Sequence, residues 1–68
     1  ELLVLKGAKN TLKTVKAVYT EINTDYVYKD CALIDEIDSY LFNFDFKRVE
    51  TKMHQDHPWG DALYLKNI

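Results

Sequence analysis

The segment His54-Gln55-Asp56-His57-Pro58-Trp59-Gly60-Asp61 brings two histidines, two aspartates and the only tryptophan of the chain into one short stretch. Histidine changes charge near neutral pH and ligates metals when neutral, so the cluster suits acid–base work or metal capture. The metal reading is thin. His54-x-x-His57 with one aspartate lacks the further ligands of a structural zinc site, and it is not the helical His-Glu-x-x-His pattern. A polar loop joining two strands accounts for the same residues. A second polar group, Glu21, Asn23 and Asp25, follows a β-rich run. Glu21 suits a general base or an orienting carboxylate; its structural alternative is a solvated or turn-capping side chain. Trp59 either packs over a sheet end or stacks on a ligand, and Asp61 either bonds the loop backbone or contacts ligand. Pro58 stiffens the turn, and Gly60 is expected to supply a positive φ.

The elements that must position these groups are legible from periodicity. Residues 1–12 read as a helix, with Leu2, Leu5, Ala8 and Leu12 on one stripe. Gly7 inside it costs about 1 kcal/mol relative to alanine, which close approach of a neighbouring backbone would justify and simple tolerance would also explain. Residues 15–22 read as a strand rich in Val, Tyr, Thr and Ile. Val15, Ala17 and Tyr19 fall on one face, Val18 and Ile22 on the other, so a central strand covered on both sides is expected. Residues 30–44 form the clearest helix. Leu33, Ile34, Ile37, Tyr40, Leu41 and Phe44 make an apolar stripe, with Asp35, Glu36, Asp38 and Ser39 mainly opposite and Asp30 as the expected N-cap. Tyr26, Tyr28 and Cys31 around its start read as packing residues.

Residues 47–54 alternate strictly. Lys47, Val49, Thr51 and Met53 face one way and Arg48, Glu50, Lys52 and His54 the other, with charges that suit a sheet edge. Residues 61–66 form the last strand, joined to the previous one as an antiparallel hairpin with a loop longer than the tight two-residue kind. A strand-helix-strand crossover runs parallel and right-handed. The expected fold is therefore α/β, in the order helix-strand-helix-strand-strand, with a parallel pair and one antiparallel strand. The parallel pair brings Glu21, Asn23 and Asp25 to the same sheet edge as His54, Asp56 and His57. Open α/β sheets gather ligands at the carboxyl ends of their strands.

Composition narrows the function classes. Sixty-eight residues make one small domain, 1–68, without repeat or linker; a chain this short hides about 60% of its unfolded surface. The 47% hydrophobic content, 13% aromatic content and scarcity of Gly and Pro favour packing over disorder. A formal charge of −2 gives no basic footprint for nucleic acid. No apolar run is long enough to span a bilayer, and no signal-peptide pattern is present. Cys31 is the only cysteine, so no internal disulfide forms and a reducing, cytoplasmic setting is expected. The chain opens at Glu1 within a helical pattern, which suggests truncation.

Val4-Leu5-Lys6-Gly7-Ala8, Glu21 at the close of a strand, and Trp59-Gly60-Asp61-Ala62-Leu63-Tyr64 together resemble the C-terminal end of FkbM-like, S-adenosylmethionine-dependent methyltransferases. The resemblance spans essentially the whole chain. It implies the last part of a Rossmann-like class I methyltransferase sheet, whose final strand inserts antiparallel between the two before it. It also implies methyl transfer from S-adenosylmethionine to a hydroxyl of a small acceptor of sugar or polyketide type. On this reading Glu21, His54 and His57 are the catalytic candidates, and Asn23, Asp56, Trp59 and Asp61 line the acceptor side. Such proteins carry an Asp-x-Glu-Gly-type segment and a Gly-rich strand-to-helix turn upstream of the matched region. Neither is in these 68 residues, so the segment alone is expected to be inactive and not to bind the cofactor. Two other classes stand beside it. One is a non-catalytic interaction module that pairs an exposed sheet edge with itself or another protein. The other is a small metal-binding domain resting on His54 and His57.

Overall fold

The computed structural model describes residues 2–25 and 32–67. Two short helices, α1 (Leu2–Gly7) and α2 (Lys9–Leu12), lead into β1 (Ala17–Asn23). Helix α3 (Ile34–Phe42) precedes a hairpin of β2 (Phe46–Met53) and β3 (Trp59–Lys66). The strand order is β1-β3-β2, and β3 is antiparallel to both neighbours. β1 and β2 therefore point the same way without being hydrogen-bonded neighbours. The expected parallel pair is present in direction only, because β3 lies between its members and takes the hydrogen bonds of both.

Register divides the sheet into two faces, since side chains alternate along a strand. Val18, Tyr64 and Arg48 form one row of the covered face and Thr20, Ala62 and Thr51 the next. Ile22, Ala62 and Tyr64 on this face are buried with Leu5, Leu12, Ile37 and Leu41 from the helices, and with Phe46. The other face carries Ala17, Tyr19 and Glu21, all exposed, beside Leu63 and the exposed Leu65. The apolar residues on both sides of β1 had pointed to a strand buried twice. Among the described residues the helices cover only one side, so Tyr19 is left 67% exposed. The shortest extent, 14 Å, is that of a single helix layer on a single sheet.

Several local features differ from the periodic reading. The first helix breaks at Ala8, whose backbone (φ −97°, ψ 22°) leaves the helical region before α2 resumes. Among the described residues nothing lies within 4 Å of where a Cβ on Gly7 would stand, so none of their backbones approaches it closely. Helix α3 begins with Leu33 as N-cap, and the Glu36 carboxylate accepts the Leu33 N–H at 3.1 Å. Leucine has no side-chain acceptor, so this is half of a capping box. The acidic Asp35 and Glu36 suit the positive end of the helix. The expected N-cap Asp30 lies outside the described residues, as do Tyr26, Tyr28 and Cys31.

Asp38, expected on the wet face of α3, instead packs against the sheet. It accepts from the Tyr64 hydroxyl at 2.5 Å and lies 3.1 Å from Arg48 Nε. The strict alternation of the second strand fails at a bulge between Arg48 and Glu50. Val49 is the extra residue and is 51% exposed. The bulge puts Arg48 on the covered face and Glu50 on the open one, so the two charges do not share a side as the simple pattern had it.

Candidate functional site

Glu21 and Asn23 close β1, and Met53 ends β2 at the same end of the sheet, where the hairpin loop turns over. The loop is tied down at several points. The His54 N–H donates to the Trp59 carbonyl at 3.0 Å, the His57 N–H to the His54 carbonyl at 3.2 Å, and the Thr24 N–H to the Pro58 carbonyl at 2.9 Å. Asp56 carries the positive φ of this turn (62°). Aspartate tolerates that region better than most side chains. Gly60 does not adopt a positive φ; it sits inside β3, and a Cβ there would stand 2.3 Å from the Lys52 carbonyl oxygen and 2.7 Å from Met53 Cα. The glycine is required because β2 and β3 approach closely at this point, not because the chain reverses there.

The register sets Glu21, Asp61 and Lys52 side by side in one row of the open face. Asn23, Trp59 and His54 follow in the next row. His54 Nε2 lies 3.6 Å from Asp61 Oδ2, an ion pair when the imidazole is protonated. The two adjacent carboxylates repel; Lys52 and His54 flank the Asp61 side. His57 stacks on Trp59 with ring centroids 4.2 Å apart and planes 20° from parallel, and His54 tilts against the same indole at 6.4 Å. Trp59 is therefore flanked by histidines and half-buried. Asn23 is 1% exposed, and its Nδ2 has no acceptor among the described residues. A buried donor left without a partner costs about 1–3 kcal/mol.

The structure thus brings together Glu21, Asn23, His54, His57, Trp59 and Asp61. Asp56 is exposed in the turn and marks the backbone reversal. Lys52 belongs to the constellation and was not singled out by sequence. The bulge that carries it beside Asp61 leaves no periodic signal. No group of three or more His, Cys, Asp or Glu is arranged to hold a metal among the described residues.

The chain's two glycines do not fit a cofactor cradle. Gly7 ends a helix in open space and Gly60 is wedged between strands, so neither opens the strand-to-helix turn that S-adenosylmethionine would need. What the constellation offers chemically is a carboxylate and an imidazole on one exposed surface. That pairing suits accepting a hydroxyl proton and orienting its oxygen.

A second polar cluster lies beneath α3. Burial, then the hydrogen bond to Asp38 and that residue's charge, push the Tyr64 hydroxyl well above the ordinary tyrosine range, with Arg48 opposing. Arg48 also donates to Thr51 Oγ1 at 2.6 Å. This cluster joins helix to sheet and sits on the covered face, away from the open one. No helix among the described residues is long and apolar enough to cross a membrane. No family model, curated protein or solved structure matches the chain.

Proposed function

We propose that this chain is the C-terminal sheet segment of an FkbM-like methyltransferase of Rossmann-like class I type, forming the acceptor-side wall of the site. The observation that carries the reading is β3 inserted antiparallel between two co-directional strands, with the polar ends of those strands at one edge. The motif Trp59-Gly60-Asp61-Ala62-Leu63-Tyr64 supports it. On this reading a small hydroxyl acceptor lies against the open-face row of Glu21 and Asp61. Glu21, or His54 held beside Asp61, accepts the hydroxyl proton, and Asn23 and Trp59 shape the wall. S-adenosylmethionine, the methyl donor, is held by residues other than these, in a cytoplasmic enzyme.

The test has two arms. Calorimetry of the 68-residue chain with S-adenosylmethionine should show no binding; micromolar affinity would sink the proposal. The reading frame upstream of the Glu1 codon should encode a Gly-rich strand-helix turn followed by an Asp-x-Glu-Gly-like segment. In that longer product, Glu21→Gln should lower kcat by about 10²–10⁴-fold, the usual worth of a positioned base.

A different observation favours a second reading, strand-edge pairing by this chain as an interaction module. The outer edge of β1 pairs with no strand among the described residues. Its readout is hydrogen exchange at the outward-facing amides of Tyr19 and Glu21. Protection of both supports edge pairing, and exchange at the rate of an open strand refutes it.

A further inference from the structure

Charge is unevenly distributed along the chain. Of its nine basic and eleven acidic residues, residues 2–20 hold four lysines and no acid, and from Glu21 onward acids outnumber cations ten to five. The net charge of −2 therefore hides a positive end. Lys6 lies on α1, Lys9 on α2, and Lys13 and Lys16 on the connection to β1. All four are exposed, and none is ion-paired among the described residues.

The same end carries apolar side chains that the core does not use. Leu5 and Leu12 are buried and fix which way α1 and α2 face. Residues three and four apart share a helix face, so Leu3 and Gly7 line up with Val4 beside them, away from Leu5. Leu3 is 84% exposed and Val4 73%. Val4 also lines a groove of about 260 Å³ together with Leu5, Val18, Tyr19 and Thr20, so the apolar surface continues from α1 to the exposed ring of Tyr19.

We propose that this end docks on an anionic bilayer surface, with Leu3 and Val4 entering the acyl boundary and Lys6, Lys9, Lys13 and Lys16 meeting the acidic headgroups. This surface is separate from the polar row of Glu21 and Asp61 and does not depend on what that row does. Lying on a bilayer needs no membrane-crossing helix. It needs apolar side chains that leave water and cations that meet the negative surface, and both are gathered here. Lysine stems run along apolar surface while their ammonium groups stay among the headgroups. Tyrosine suits the same layer, with its ring inward and its hydroxyl outward. The acid-rich remainder of the chain is repelled by the same surface, which orients the molecule on it. A polyanion without an apolar interior, such as nucleic acid, would engage the lysines and leave Leu3 and Val4 in water.

Vesicles of phosphatidylcholine mixed with phosphatidylserine should carry the 68-residue chain down on centrifugation at low salt, and vesicles of phosphatidylcholine alone should not. A chain that stays in the supernatant with the anionic vesicles overturns the proposal, as does equal binding to both kinds. Each of Lys6→Gln, Lys9→Gln, Lys13→Gln and Lys16→Gln should weaken binding about fivefold. Leu3→Ser combined with Val4→Ser should weaken it about tenfold or more with circular dichroism unchanged, because both side chains are exposed in the fold. Anionic-vesicle binding that the serine pair leaves intact, or a DNA duplex bound as tightly as the vesicles, makes the surface a general polyanion site and overturns the bilayer reading. In a Trp59→Phe background, the fluorescence of Leu3→Trp should move to the blue on anionic vesicles and be quenched by brominated acyl chains. Emission that stays water-like on bound vesicles overturns insertion, and this readout decides the matter even where the serine pair fails to fold.

Discussion

Gly60 shows how one residue is constrained by its neighbours rather than by its own backbone. Any side chain there collides with the main chain of Lys52 and Met53, and main chain does not yield as a flexible side chain would. Gly60→Ala should therefore destabilise the protein by about 1–3 kcal/mol, the range for forced overpacking, and urea denaturation measures it. The expected loss would be absent if β2 and β3 were splayed at this point. Lys66 is a second case. Its ammonium reaches the Leu12 carbonyl at 2.8 Å and passes 4.8 Å from the Phe46 ring centre. A cation thus satisfies an orphan carbonyl at the end of α2 and ties that helix to β3. Neither role leaves a pattern in the sequence, because each depends on a partner far along the chain.

At the scale of elements, the apolar stripe of α3 was legible because Ile37 and Leu41 are set by helical period alone, and both are fully buried. Asp38 was misjudged for the same reason. Period places it near the margin of the stripe, and the Tyr64 hydroxyl and the Arg48 guanidinium below it draw it toward the sheet. The first helix was read as continuous, yet it breaks at Ala8 next to Gly7. Gly7 is not crowded by any of the described residues and has no positive φ. Gly7→Ala should therefore raise stability by about 0.4–1 kcal/mol through lower entropy of the unfolded chain, seen as a higher Tm in calorimetry. A loss of stability would mean that the break between α1 and α2 needs the glycine.

At the scale of the molecule, alkaline pH attacks the joint between α3 and the sheet. The Tyr64 hydroxyl titrates above its unfolded value of about 10, chiefly because it is buried and then because it donates to Asp38. Ionising it costs more in the fold than in the unfolded chain. Its contribution to stability is complete below pH of about 10 and is lost as pH rises beyond that. Denaturation midpoints should fall on the alkaline side, and Tyr64→Phe should flatten that fall. The same variant should cost about 1.5–3 kcal/mol at neutral pH, the net worth of one hydrogen bond to a charged group. An alkaline limb equally steep in Tyr64→Phe would assign it to other groups.

Period and residue type alone determined the α/β class, the order of the elements, the antiparallel hairpin and the meeting of the two polar clusters at one end of the sheet, because these follow from local spacing and crossover handedness. Tertiary structure decided the rest. Spacing left the place of the last strand open and the family resemblance implied its insertion; β3 does lie between the two co-directional strands and bonds to both. The bulge at Val49 reassigns Arg48 and Glu50 to opposite faces. The helices shelter one face of β1 and leave Tyr19 and Glu21 exposed on the other. Apolar pattern tells which residues gain by burial; which of them are buried depends on the layers that pack against the strand.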